Sequence, residues 1–510
     1  MAEEKKSYLY KLKPLIERWP AIKKPEGHVT FKKKMFWTLL ALIIYFILTN
    51  VMIFGLKTDV IDLFEQYRFI MAGASGSIMH LGIGPIVTAS IILQLFVGAK
   101  IINLDLTKTE DKAIYQGTQK ILVLVMIFVE AIPQIFGYLE PTTGLVNAVG
   151  LPMADTIIII QLVIGALIVF FMDETISKWG IGSGISLFIA AGVSQALFTG
   201  LFSWIPVSGG IASMSNPPAG VVPGTYYLAS NMNLGQIVGG GYQTLFLGDM
   251  RIGYSNAIVP LLGTLFIFFL VVYVESSRIE LPLSHGKVRG ARGRYPIRLI
   301  YASVIPVILV SALLANINMF AMLLYRSELP LLGGQWWLGK YDLTISTQPL
   351  MGGAWYLSSP GGINSWLLPI FYGGDGMHAP WQFALRLIIY LTIMIVGSIL
   401  FAKFWIETTN MGAKDVAKQI QSSGMQIPGF RRDPRVLKKV LERYIPVITV
   451  IGGAMVGALA GFSDAIGTVG MVSGTGVLLA VSITIQLYEQ IGKEQAMEMH
   501  PVLRGFFGNE

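Results

Sequence analysis

Apolar residues fall into ten runs separated by polar segments, at about 35–55, 79–99, 117–137, 153–172, 183–203, 254–274, 299–323, 382–405, 445–462 and 468–488. Their lengths centre on the roughly 20 residues a helix needs to cross a bilayer. Backbone groups inside lipid must bond one another, so the runs predict an α-helical bundle. One run is uneven. Ser77–Ala99, SIMHLGIGPIVTASIILQLFVGA, ends as a membrane span. Its first half carries Gly82, Gly84 and Pro85, poor residues for a helix interior. The pattern predicts a span that is broken on one side.

Ahead of the runs, residues 5–20 form a basic amphipathic segment. Tyr8, Leu9, Leu12, Leu15, Ile16 and Trp19 share one helical face among lysines. Such a segment is expected on the inner membrane surface. The long outer segment 204–252 is rich in Gly, Ser and Pro and divides the spans five and five. The halves echo each other. The second and seventh spans carry Pro85 in GIGPIV and Pro306 in VIPVIL. The fifth and tenth share Gly182-Ser183-Gly184-Ile185 and Gly474-Thr475-Gly476-Val477. An odd number of spans per half gives the repeats opposite topology, a transporter signature with the working site at their interface. The expected organisation is a cytoplasmic N-terminus (1–34), an N-terminal half (35–203), an outer linker (204–252), a C-terminal half (253–488) and a cytoplasmic tail (489–510). Cytoplasmic loops are expected at about 275–298 and 406–443.

Composition agrees with the pattern. Of 510 residues, 53% are hydrophobic and 13% charged, and the mean hydropathy is +0.62, more apolar surface than a soluble domain of this size needs. The first 34 residues hold ten Lys/Arg and no long apolar core, so no cleavable signal peptide is expected. The absence of cysteine excludes disulfides and thiolate metal sites, and the five histidines are scattered. Neither a metal nor a cofactor is expected. Net charge is +8, and its placement says more. With the N-terminus inside, 30 of the 38 Lys/Arg fall in inner segments. Five fall in the longer outer ones: Lys57, Arg68, Arg251, Arg326 and Lys340. This asymmetry predicts that both termini are cytoplasmic.

Catalytic chemistry is not visible. GGQWWLGK, ending at Lys340, resembles part of a phosphate-binding loop but is followed by Tyr341 and lies in an outer loop. No triad or metal-ligand spacing occurs, so the chain is not expected to be an enzyme. Glu130 in VMIFVEAIPQIF is the clearest ionisable residue deep in a span. It marks either function or a carboxyl bonded to a neighbouring helix. No polar relay accompanies it at midplane, which argues against an ion-coupled transporter. Aliphatic pairs stand out instead: Ile83 and Val87, Ile185 and Ile189, Ile305 and Ile308 each share a helix face. They are either plain core or, converging at a bundle axis, a constriction that gates by dewetting. The two basic cytoplasmic loops contain SSRIELPLSHGKVRGARGRYPIR and GFRRDPRVLKKVLERY. Their length suggests docking of an acidic partner, nucleic acid or an acidic protein face, beyond topology alone.

At these motifs the chain resembles the SecY family, the channel (alpha) subunit of the Sec protein translocase, of the archaeal and eukaryotic type. LGIGPIVTASIILQLFVGA, KWGIGSGISLFIAAGVSQ, RIELPLSHGKVRGARGRYPIRLIYASVIPVILVSALLANI and GTGVLLAVSI carry the likeness. The resemblance implies ten transmembrane helices in two inverted five-helix halves around a central pore, with a short plug half-helix at about 61–76. It implies a pore ring of Ile83, Val87, Ile185, Ile189, Ile305, Ile308 and Leu479. It implies a lateral gate whose polar cluster is Thr88, Glu130 and Asn316. Lys287, Arg289, Arg292, Arg294, Arg431 and Arg432 would dock the ribosome. Expected partners are SecE-type (gamma) and beta-type small membrane subunits, the ribosome, the signal recognition particle receptor, signal peptides and nascent chains, and membrane lipid. No nucleic-acid sequence would be read. The expected activity is passage of unfolded secretory chains across the plasma membrane and sideways release of apolar helices. Two rivals are a small-solute secondary transporter, which needs a polar midplane site, and a pore-less insertase, which needs no plug.

Overall fold

The computed structural model describes residues 7–27, 29–57, 71–104, 106, 108–206, 209–233, 235, 241–248, 256–285, 292–300, 302–326, 335–341, 349–409, 411–422, 425–426, 434–470 and 472–499. At 136–137, 281–285, 292–297, 326, 419, 421–422, 425–426, 434–436, 497 and 499 it describes the backbone alone.

A helix occupies each predicted run. They are α1 (Phe31–Thr49), α2 (Gly84–Gly98), α3 (Thr109–Gly137), α4 (Leu151–Trp179), α5 (Gly184–Phe202), α6 (Ile258–Ser276), α7 (Ile305–Arg326), α8 (Pro380–Thr408), α9 (Pro434–Ile466) and α10 (Gly474–Met499). Among the described residues seven, α3 to α9, are long and apolar enough to cross a membrane. The other three are curtailed for visible reasons. Helix α1 opens on Lys32, Lys33 and Lys34. The second half of α10 carries Glu489, Lys493, Glu494 and Glu498. Helix α2 has 15 residues. At 1.5 Å per residue that is about 22 Å, against a hydrocarbon core of about 30 Å. It is therefore too short to span the core by itself.

Small residues set the closest packing, since helices in lipid associate through van der Waals contact. Gly453, Gly457 and Gly461 recur every fourth residue of α9 and face α8. A Cβ on Gly457 would stand 2.4 Å from the Met394 carbonyl oxygen, and one on Gly453 3.1 Å from the Ile399 Cα. Helices α5 and α10 also interlock. A Cβ on Gly182, in the turn before α5, would lie 2.9 Å from Gln490 Oε1 near the end of α10. One on Gly470, in the turn before α10, would lie 2.3 Å from the Ala196 carbonyl oxygen in the second half of α5. Each helix starts against the other's end, as an inverted pair must.

One element was not foreseen. The loop after α6 forms an antiparallel hairpin, β1 (Arg278–His285) and β2 (Arg292–Arg298), with Ser284 opposite Arg292. A two-residue strand, β3 (Met425–Gln426), adds to the other edge of β1. The two basic loops are therefore one surface, joined by backbone hydrogen bonds. Glu489 on α10 binds both Arg278, at 3.1 Å, and Arg298 at the hairpin base.

The N-terminal amphipathic segment folds as a 3₁₀ turn, Tyr8–Leu12, and a helix, Lys13–Arg18. It rests on the first turns of α3. Tyr10 donates its hydroxyl to Asp111, a bond that pushes the Tyr10 pKa up to about 12. Ile16 sits over Gly117, where a Cβ would come within 2.2 Å of it. The long outer segments contain helices of their own, Val221–Asn231, Tyr242–Leu247, Gly353–Leu357 and Ile363–Tyr372. Near α8, His378 stacks on Trp355 with ring centroids 3.9 Å apart. Partial burial acts to raise the Asp375 carboxyl, but bonds from the His378 ring and from the His378 and Met377 amides outweigh it and hold it below the usual carboxylate range.

Candidate functional site

Four helices carry the candidate ring residues close to their starts. Ile83 is the N-cap of α2 and Val87 lies in its first turn. Ile185 and Ile189 lie in the first two turns of α5, Ile305 and Ile308 in the first turn of α7, and Leu479 in the second turn of α10. Ile83, Val87, Ile189, Ile308 and Leu479 are buried in the main apolar core, and Ile185 and Ile305 pack against it. All seven candidate ring residues thus join one core, and each comes from a helix that begins beside a Gly or a Pro.

The chain that precedes α2 folds back over this point. The Ile83 amide donates to the Met71 carbonyl at 2.7 Å. Gly82 allows it: its φ is +53°, and a Cβ there would stand 1.9 Å from the Met71 oxygen. Tyr45 of α1 donates its hydroxyl to the Ala72 carbonyl at 2.9 Å, and Ala72 itself has φ +47°, a strained value for a side-chain-bearing residue. His80 takes the Gly76 amide at 3.0 Å on Nδ1 and pairs with the Tyr138 hydroxyl at 2.8 Å through Nε2. Residues 71–82 are thereby tied to α1, to the end of α3 and to the N-cap of α2.

One turn along α2 the chemistry changes. The Thr88 hydroxyl contacts Glu130 Oε1 of α3 at 2.7 Å and the Gly84 carbonyl at 3.0 Å, its single proton serving one at a time. Asn316 Nδ2 of α7 donates to Thr88 Oγ1 at 3.1 Å and to the Ala312 carbonyl at 3.0 Å. All three side chains are buried. Thr88 is the hub: it joins α2 to α3 and to α7. Glu130 Oε2 has no hydrogen-bond partner among the described residues, and it lies 2.9 Å from where a Gly84 Cβ would be.

Comparison with known proteins places this geometry. The family model for SecY matches residues 77–488, and that for the plug domain of Sec61p matches residues 43–76. The protein translocase subunit SecY of Archaeoglobus fulgidus is 46% identical over 99% of this chain and 99% of its own length. That of Haloferax volcanii is 47% identical over 98% of each. A solved protein-conducting channel superposes with a TM-score of 0.76 at 37% identity, covering 96% of this chain and 98% of its own. The chain belongs to the SecY family. Sec61 in the canine ribosome–channel complex from the endoplasmic reticulum gives a TM-score of 0.73, again at 37% identity and with the same coverage.

In SecY terms, the described part of the 61–76 plug segment is residues 71–76, and 61–70 lie outside the described residues. Of the candidate docking residues, Lys287, Arg289, Arg431 and Arg432 lie outside them as well. Arg292 and Arg294 stand in β2, where the backbone alone is described. Sequence reading missed Tyr45, Met71 and His80. Two act through or on backbone carbonyls, which leave no mark in a pattern of side chains. His80 had a signal: a polar ring in an apolar, Gly-rich run.

Proposed function

We propose that this chain is the channel subunit of a plasma-membrane protein translocase, with both termini cytoplasmic. It passes unfolded secretory chains outward through the neck and releases apolar helices sideways between α2 and α7. The observation that supports this reading is that seven aliphatic side chains near four helix starts belong to or pack against one apolar core, with the chain's own Met71 carbonyl bonded to Ile83. Burying one Ile, Leu or Val side chain is worth about 1.5–3 kcal/mol, so wetting all seven costs on the order of 10 kcal/mol. A closed neck stays dry and blocks ions. The same side chains are flexible and non-directional, so they part around any sequence and bind none of it. A solute transporter needs polar groups here, and the neck is Ile, Val and Leu.

Thr88, Glu130 and Asn316 form the closed lateral gate. Interhelical hydrogen bonds in lipid average about 0.6 kcal/mol, and stranding a buried polar group costs about 1–3 kcal/mol. Each leucine of an entering helix contributes about 0.3–0.6 kcal/mol. A few leucines therefore outweigh the cluster, which makes it a threshold and not a lock. The β1–β2–β3 surface, with Lys287, Arg289, Arg292, Arg294, Arg431 and Arg432, is the docking face for the ribosome. SecE-type (gamma) and beta-type subunits complete the complex, and the signal recognition particle receptor delivers the nascent chain.

The test uses the chain's lack of cysteine. A single Ile185→Cys variant is presented in intact membrane with a ribosome-stalled secretory chain carrying its own cysteine. Disulfide trapping at position 185 is the expected result. Trapping only at lipid-facing control positions would favour a pore-less insertase and remove the ring.

A further inference from the structure

Two aspartates, Asp173 half-buried and Asp464 buried, lie outside the neck, the gate and the plug, yet each is bonded to the start of a neck helix. In the N-terminal half, Asp173 on α4 accepts the Ile185 amide on Oδ1 at 3.0 Å, in the first turn of α5. In the C-terminal half, Asp464 on α9 accepts the Thr475 amide on Oδ1 at 2.8 Å, in the first turn of α10. Its Oδ2 accepts from Thr475 Oγ1 at 2.7 Å and from the Tyr390 hydroxyl of α8 at 2.6 Å. Helices α4 and α9 are the fourth of their halves, and α5 and α10 the fifth. The separations are 12 and 11 residues.

Glycine permits both approaches. A Cβ on Gly184 would lie 2.6 Å from the Asp173 Cα, and one on Gly474 2.0 Å from the carbonyl carbon of Ser463, beside Asp464. Each neck helix therefore begins in backbone contact with the helix before it. The first N–H groups of a helix have no partner within it and form the positive end of its dipole. Within a bilayer no water supplies one, so a carboxylate fixed at that spot also fixes where the helix starts. The bonded amides sit four residues before ring positions in both halves: Ile185 before Ile189, Thr475 before Leu479. Residues at i and i+4 share a helix face.

We propose that Asp173 and Asp464 are a symmetry-related pair of positioning residues, which hold Ile189 and Leu479 at neck depth and so set how tightly the closed neck seals. This rests on the reading of the neck as the gate. Asp464 holds three groups, Asp173 fewer, so α10 is the more firmly set of the two.

The full-length chain is purified with the small subunits that accompany it and reconstituted in proteoliposomes. Single cysteines at Ile189→Cys or Leu479→Cys are labelled with a water-soluble thiol reagent. In the Asp464→Ala background, labelling at 479 should rise about tenfold, the equilibrium ratio that one helix cap is worth, with a smaller rise at 189. In the Asp173→Ala background the order should reverse. Asp→Asn keeps an oxygen acceptor and should restore near wild-type labelling at both. General loosening would raise both sites equally in either background, and that result, or no rise at all, overturns the proposal. If the alanine variants fail to fold, Tyr390→Phe and Thr475→Val decide it: a rise at 479 supports the proposal and wild-type labelling refutes it. The combined Ile185→Gly, Ile189→Gly and Leu479→Gly variant serves as the control. If it leaves resting ion flux unchanged, the neck reading has failed; if it raises flux while the aspartate variants do not, only the positioning proposal has.

Discussion

Val87 and Thr88 are neighbours of nearly the same shape on α2, and they serve two seams of opposite character. Val87 is buried in the apolar core that holds the proposed pore ring. Thr88 lies in the proposed gate cluster, where one hydroxyl links three helices. The apolar seam is held by area. It closes on anything or nothing, and its strength is a sum over many small contacts. The polar seam is held by direction. It has one closed geometry, and opening it strands identifiable atoms. A channel that must accept any sequence through its centre, yet sort helices at its side, needs this division.

Exchanging the two chemistries gives the sharpest tests. Thr88→Val keeps the shape and removes the hub. Glu130 Oε1 loses its partner and Asn316 keeps only the Ala312 carbonyl. The closed gate should lose about 1–3 kcal/mol, a shift toward opening of about fivefold to over a hundredfold. Insertion of a graded leucine–alanine helix series reads this directly as acceptance of weaker signals. Asn316→Leu should act in the same direction but less, because the Thr88–Glu130 bond survives. The loss of one interhelical bond, about 0.6 kcal/mol, is roughly threefold. An unchanged threshold would remove the cluster from the mechanism. The converse exchange, Val87→Thr, should have the smallest effect. A threonine hydroxyl within a helix can bond the carbonyl four residues back, here that of Ile83, and so hide its polarity from the neck. Resting ion flux from proteoliposomes should change by no more than about twofold. A large leak would mean that the neck seal depends on single side chains and not on their sum.

The two seams were not equally legible. The ring residues form aliphatic pairs beside Gly and Pro, a local signal, though spacing alone left them indistinguishable from ordinary core. Glu130 stood out because a carboxyl within a span is costly, but nothing local named Thr88 or Asn316 as its company. Asn316 lies 228 residues from Thr88. For both sites the resemblance to the SecY family, and not periodicity, supplied the grouping. The three-stranded sheet escaped altogether, because β3 is two residues long and pairs across more than a hundred residues of chain.

What the sequence determined by itself is what depends on the solvent. Lipid demands helices of a set length, and charge asymmetry orients them, so the spans, their order and the short, broken α2 follow from local composition. Tertiary structure decided what depends on approach between distant backbones. It seated Met71 on Gly82 and Ile83, Gly457 on Met394, and Asp464 on the first turn of α10. These contacts turn on tenths of an ångström and on carbonyl oxygens common to every residue. A one-dimensional pattern records side-chain type and spacing, and neither carries that distance.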